Sequence, residues 1–146
     1  VDARQGLDVL LQRAGARGRT GGREGMSKRI LLVEDQEDAR RIVRDLLAAN
    51  GFALLEAKTG EDGLKMAQSE RPDLILMDIQ LPGMDGYEVT RLIKADRALS
   101  HIPIIAVTSY ALSGDDQRAA AAGCDGYVAK PFSPRVLMAR IRELLG

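Results

Sequence analysis

From Ile30 onward the chain alternates short, wholly apolar runs with longer segments whose apolar residues recur every three to four positions. Ile30–Val33 reads as a buried parallel strand, because a strand covered on both faces needs no polar alternation. Ala39, Ile42, Val43, Leu46 and Leu47 then follow the i, i+3, i+4, i+7, i+8 rule of an amphipathic helix. Asn50-Gly51 closes that helix with residues that tolerate a left-handed backbone. The same reading puts a second strand at Phe52–Glu56, a second helix at Gly60–Ser69 and a third strand at Asp73–Met77, with Pro72 forcing an extended entry. Leu81 to Gly86 is rich in turn residues. A third helix follows, with Val89, Leu92 and Ile93 on one face. The fourth strand is predicted at Ile102–Val107, the fourth helix at Asp115–Ala122 with Gly123 ending it, and the fifth strand at Gly126–Ala129. Ser133 caps a fifth helix, Pro134 takes its first position, and Val136, Leu137, Ile141, Leu144 and Leu145 supply its apolar face. Five strand–helix alternations imply right-handed crossovers and an α/β fold with a doubly wound parallel sheet.

Composition narrows this picture without changing it. The 146 residues suffice for one domain with an independent core, and 45% apolar with 29% charged residues is ordinary for a globular protein. Basic and acidic residues balance at 21 each, and neither residues 1–25 nor residues 26–146 carry the strongly basic patch of a nucleic-acid binder. A single cysteine, Cys124, excludes an internal disulfide and fits a reducing cytoplasm. No apolar run approaches the roughly 18–20 residues that span a bilayer, and no secretory leader is visible. Residues 1–25 stand apart: six Gly, five Arg and no aromatic residue. Leu7, Leu10, Leu11 and Ala14 fall at helical spacing, but Gly15 to Gly25 has nothing to bury and is expected to be disordered. The domain is therefore expected to run from Met26 to Gly146, preceded by an extension or cloning remnant; a partner-binding tail is the alternative.

Chemistry enters at the strand ends. Glu34-Asp35 follows the first apolar run, Asp78 the third and Lys130-Pro131 the fifth. In an open parallel sheet the carboxyl ends of neighbouring strands share one edge, where ligands bind. Three carboxylates and an ammonium would meet there. Crowded carboxylates repel one another and call for a cation, and hard oxygen ligands favour Mg²⁺, the setting for handling a phosphoryl group. Each residue also has a plainer reading. Asp78 alone is an acid opening a turn, Glu34 or Asp35 alone is a helix-start acid favoured by the dipole, and Lys130 alone is a surface lysine. Glu37 and Asp38 read as first-turn helix charges. His101 lies before the fourth strand, away from this edge, and reads as a surface residue.

Together, Glu34-Asp35, Asp78 with Leu81-Pro-Gly-Met-Asp-Gly86, Thr108 and Lys130-Pro131 resemble the receiver domain of bacterial two-component response regulators. The resemblance runs from about Lys28 to Leu145. It implies a flavodoxin-like five-stranded sheet of order 2-1-3-4-5 with five helices. It implies that Asp78 is the phosphoacceptor, forming a hydrolysable acyl phosphate. Mg²⁺ would be held by Asp35, Asp78 and the backbone carbonyl of Gln80, with Glu34 acting through a metal-bound water. Lys130 would pair with a phosphoryl oxygen, aimed by a cis bond to Pro131. Thr108 would hydrogen-bond the phosphoryl group and draw its loop inward, vacating space for the switch aromatic Tyr127. The fourth helix, fifth strand and fifth helix would then form the readout face. Gln80 and Tyr110 are the positions expected to tune the lifetime of the mark, with Tyr110 shielding it from water. The partners implied are a sensor histidine kinase or histidine phosphotransfer protein and a downstream protein target, with kinase pairing through exposed first-helix residues such as Arg40, Arg41 and Arg44; a phosphorylation-dependent dimer is left open.

Two other classes share this architecture. A dehalogenase-type phosphatase needs a second Asp two residues after the first, where Gln80 stands. A flavodoxin-like carrier needs a Ser/Thr/Gly-rich first loop, where Glu34-Asp-Gln-Glu-Asp38 would repel a phosphate. The reading is therefore a phosphoacceptor switch rather than an enzyme, with self-phosphorylation from small donors and self-dephosphorylation as side activities. It is expected to be cytoplasmic, with no direct nucleic-acid or membrane contact, and to act as a stand-alone receiver. A receiver belonging to a larger regulator with a DNA-binding or enzymatic output domain is the alternative.

Overall fold

The computed structural model describes residues 27–109 and 115–145. The expected extension over residues 1–25 and the shielding ring of Tyr110 lie outside the described residues. Five strands, β1 (Arg29–Val33), β2 (Ala53–Ala57), β3 (Leu74–Asp78), β4 (Ile104–Thr108) and β5 (Gly126–Ala129), alternate with five helices, α1 (Glu37–Ala49), α2 (Gly60–Glu70), α3 (Gly86–Ala95), α4 (Asp115–Ala122) and α5 (Pro134–Leu145). All strand pairs are parallel and the sheet order is β2-β1-β3-β4-β5, as the resemblance implied. The order reverses between β1 and β3, so the crevice beyond their carboxyl ends is the topological switch point.

Period-two alternation sorts the strands onto two cores. Leu31, Val33, Ile75, Met77, Ile104 and Ala106 face α2, α3 and α4 through Ala67, Val89, Ile93, Ala119 and Ala122. Ile30, Leu32, Leu74, Leu76, Ile105 and Val107 face α1 and α5 through Val43, Leu47, Leu137, Met138 and Ile141.

Turn chemistry behaves as its residues require. Gly51 takes the left-handed backbone after α1, with φ of 84°. The hydroxyl of Thr59 accepts from Asp62 N at 3.0 Å at the start of α2, and Asp85 accepts from Glu88 N at 2.9 Å at the start of α3. Ser133 Oγ accepts from Val136 N at 3.2 Å ahead of α5.

Several expected boundaries and faces differ. Strand β4 begins at Ile104 rather than Ile102, since Pro103 has no N–H to give to a ladder. Asp78 and Thr108 are the last residues of β3 and β4, inside the sheet. Helix α1 is rotated from its expected face: Arg40, Val43 and Leu47 are buried, while Ile42 is 64% exposed. Leu92 on α3 and Val136 on α5 are also exposed, whereas Met138 is buried.

Candidate functional site

Three strand ends converge as the parallel order requires. Beyond β1 the backbone stays paired for one more residue, Glu34 N donating to Ala57 O at 3.0 Å, and then turns through Asp35 and Gln36 into α1. The neighbouring β3 ends on Asp78, and β5 delivers Lys130, whose N–H donates to Thr108 O at 2.7 Å. Glu34 and Asp78 are buried, and Asp35 is half-buried. One carboxylate oxygen from each of Glu34, Asp35 and Asp78 falls within a single cluster spanning 4.8 Å. Lys130 Nζ donates to Glu34 Oε1 at 2.7 Å and lies 3.7 Å from Asp78 Oδ2. The peptide bond from Lys130 to Pro131 is cis.

Two backbone donors and one side-chain amide complete the frame. Gln36 N donates to Glu34 Oε2 at 3.1 Å, Gln36 Nε2 to Asp35 Oδ2 at 3.2 Å, and Gln80 N to Asp78 Oδ1 at 3.0 Å. Helix α3 begins hard against the acid-bearing strand. A Cβ on Gly86 would stand 2.3 Å from Asp78 O and 2.8 Å from Ile79 Cα, so only glycine allows this approach. On the other side a cavity of about 280 Å³ reaches the cluster between α1 and the β5–α5 connection, with Ile42, Val43, Phe132 and Leu137 in its walls.

Burial and crowding act on the two inner acids in opposite directions. Burial pushes the Asp78 carboxyl up to about 7; Gln80 N–H and Lys130 oppose this, while the charge of Glu34 adds to it. Burial also raises Glu34, but the hydrogen bonds from Lys130 and Gln36 N–H outweigh it and hold the carboxyl below its ordinary range. The pair is thus one ionised acid neutralised by Lys130 and one acid short of compensating charge. A donor set made wholly of carboxylate oxygens, with charge left over, suits a hard divalent cation.

Residues 30–142 match the model of the response regulator receiver domain. The chain belongs to this family. The receiver domain is 43% identical over 121 residues to the polar-differentiation response regulator DivK of Brucella ovis, covering 83% of this chain and 98% of that one. Among solved structures it is similar to the receiver domain of a sensor histidine kinase from Pseudomonas aeruginosa, whose structure has a magnesium ion coordinated in the active-site cleft. The TM-score there is 0.78 and the identity 36%, over 83% of this chain and 99% of that one. The chemotaxis protein CheY4 of Vibrio cholerae gives a TM-score of 0.77 at 27% identity, over 82% and 99% of the two chains. Receiver domains are phosphoacceptor switches of two-component signalling that meet histidine kinases and downstream targets, and they bind Mg²⁺ in their active site. No helix among the described residues is long and apolar enough to cross a membrane.

Of the residues singled out in the sequence, Glu34, Asp35, Asp78 and Lys130 share one cluster. Thr108 ends the adjacent strand and is buried, Tyr127 is half-buried on β5, and Gln80 follows β3 with its side-chain oxygen 3.4 Å from Ser109 N. His101 is exposed, as expected. Arg40 is a correction. It was expected on an exposed basic face with Arg41 and Arg44, but its side chain is 5% exposed and Nη1 donates to the backbone carbonyl of Glu34 at 2.8 Å. The signal was present in the spacing: Arg40 stands three residues before Val43 and seven before Leu47, in the buried stripe itself. Gly86 was read only as a turn residue, and its contact with Asp78 comes from a packing distance that no local pattern encodes.

Proposed function

We propose that Asp78 is the residue on which this receiver domain carries its phosphoryl group. The observation that carries the reading is a buried carboxylate at a strand end, flanked by two further acids and an ammonium within reach. An Asp78 oxygen forms the new bond to phosphorus, the bond from phosphorus to the donor breaks, and the leaving group keeps that electron pair. With a histidine kinase or phosphotransfer protein as donor the leaving group is an imidazole; with acetyl phosphate it is acetate.

In this reading Asp35, Asp78 and the Gln80 carbonyl would hold Mg²⁺ directly, and Glu34 would act through a metal-bound water. Bound there, Mg²⁺ supplies positive charge to the phosphoryl oxygens. Lys130, neutralising Glu34 in the resting protein, turns part of its charge to the transferred group. Thr108 takes a phosphoryl oxygen as hydrogen-bond acceptor and moves inward, and Tyr127 follows into the space, changing the face made by α4, β5 and α5. The apolar cavity wall beside Asp78 limits water around the acyl phosphate, and Gln80 and Tyr110 tune how fast it is lost.

The test is intact mass after incubation with Mg²⁺ and acetyl phosphate. The native protein gains one phosphoryl group; Asp78→Asn gains none, and EDTA abolishes the gain. Equal labelling of the variant would place the phosphate elsewhere. A second reading, a receiver within a larger regulator, draws on the likeness to a histidine kinase's own receiver domain; the length of the native gene distinguishes the two.

A further inference from the structure

Arg40 is a cation where α1 should present an apolar side chain. Its neighbours on the buried stripe are Val43 and Leu47, and its own side chain is 5% exposed. Burying a guanidinium is costly unless every charge and donor finds a partner, and an apolar residue of similar volume would fill the place at less expense. Its partners account for the position. Nη1 donates to the Glu34 carbonyl at 2.8 Å, Nη2 donates to Glu37 Oε1, and Nε lies 3.5 Å from Glu56 Oε1 on β2. The backbone of the same residue closes the corner from inside, Arg40 N donating to Gln36 O at 3.0 Å. The hydrogen bond from Arg40 holds the Glu37 carboxyl below its ordinary range, so the guanidinium sits between formed charges.

The corner that Arg40 grips is the one that aims the acidic pair. Glu34 is held at its carboxylate by Lys130 and Gln36 N–H, and at its carbonyl by Arg40. The carbonyl of Glu34 belongs to the peptide unit that sets the direction of Asp35. We infer that Arg40 is a positioning residue of the cation site: its guanidinium, braced on Glu56, fixes the Glu34–Asp35 peptide so that both carboxylates converge on Asp78. The inference rests on the reading of that cluster as the Mg²⁺ site. Arg40 touches neither the cation nor the phosphoryl group, and its effect is on affinity for the cation. Partners one layer behind metal ligands typically change affinity by about 10–100-fold when removed, and a partner gripping the backbone belongs at the lower end.

The experiment compares the whole chain, native, Arg40→Met, Arg40→Lys, Glu56→Gln and Arg44→Gln, by calorimetric titration with Mg²⁺ and by amide hydrogen exchange in EDTA. Arg40→Met is expected to weaken Mg²⁺ binding about tenfold, and Arg40→Lys, with one donor group in place of a fork, to recover part of it. Glu56→Gln, which leaves Arg40 present but loosens its brace, weakens binding about two- to threefold, while Arg44→Gln, which removes the second cation on Glu56 and Glu37 but leaves every contact of Arg40 in place, leaves it unchanged. In the metal-free protein, Arg40→Met accelerates exchange at Gln36, whose N–H is held by the Glu34 carboxylate, while the amides of Val43 to Leu47 keep their protection. A merely structural arginine would instead lower protection throughout α1 and leave the titration as it was. Unchanged Mg²⁺ affinity in folded Arg40→Met overturns the inference and leaves the site reading standing. Should Arg40→Met fail to fold, unchanged affinity in Glu56→Gln overturns it equally. If the native chain takes up no Mg²⁺, the site reading fails, and the inference with it.

Discussion

Asp78 is buried, ionisable and, without a cation, short of positive charge, so its protonation is coupled to folding. In the unfolded chain its carboxyl titrates near the ordinary 3.8, and in the folded, metal-free protein burial first, then Glu34, raise it to about 7. The folded state therefore binds that proton more tightly than the unfolded state does. Stability from this residue is retained at low pH and is lost as pH rises through the interval between the two values, the loss being complete above about pH 7. Glu34, held low, acts in the opposite sense, its contribution being lost as pH falls below its ordinary value of 4.5, so above that value the pH dependence belongs to Asp78. Asp78→Asn removes the Asp78 contribution. In EDTA the variant should exceed the native protein in stability at neutral to alkaline pH, and the gap should close towards about pH 4, as read by urea denaturation at several pH values. A gap independent of pH would mean that Asp78 is not the residue under strain. At this scale the chemistry was legible because the four reactive groups are of unusual type at strand ends. What could not be read was the partner set of Arg40, because a charged letter in a helical pattern ordinarily marks the solvated side.

Helix α1 shows how far periodicity carries. The element, the first-turn acids Glu37 and Asp38 and the close at Asn50-Gly51 were all visible in the pattern. The rotation was not, because Ile42 and Leu46 widen the apolar arc on one side while the true stripe runs through Arg40, Val43 and Leu47. The rotated face has a direct test. Leu47→Ala, at a position with no exposure, should cost about 2–5 kcal/mol, whereas Ile42→Ser, at 64% exposure, should stay within about 0.5 kcal/mol, both measured by chemical denaturation. An Ile42→Ser cost as large as that of Leu47→Ala would mean that α1 sits on the face the periodicity predicts. Strand ends were blurred by one or two residues for a related reason. Whether Asp78 belongs to β3 depends on pairing with Val107 across the sheet, which is a property of the neighbour and not of the run itself.

The whole molecule carries a local excess of negative charge at one edge of a sheet that is otherwise apolar on both faces. A ligand that binds only the assembled edge stabilises the assembled protein by mass action. Mg²⁺ at a hundredfold excess over its dissociation constant should therefore add about 2.7 kcal/mol, seen as a rise in the thermal midpoint that EDTA reverses. Asp35→Asn and Asp78→Asn should lose most of that rise. A midpoint equally raised in these variants would mean that the ion acts elsewhere on the surface.

The hydrogen bond from Lys130 to Glu34 joins residues 96 positions apart, nearly the full span of the domain. Three parallel pairings separate the two strand ends that carry them, and β5 is the last strand of this sheet to leave the ribosome. Until it docks, Glu34 has no ammonium partner and the acidic edge repels itself. A nascent or clipped chain lacking the final strand and helix can thus form most of its apolar core without presenting a competent acceptor. Competence of the acidic edge arrives with the closing strand and not before it.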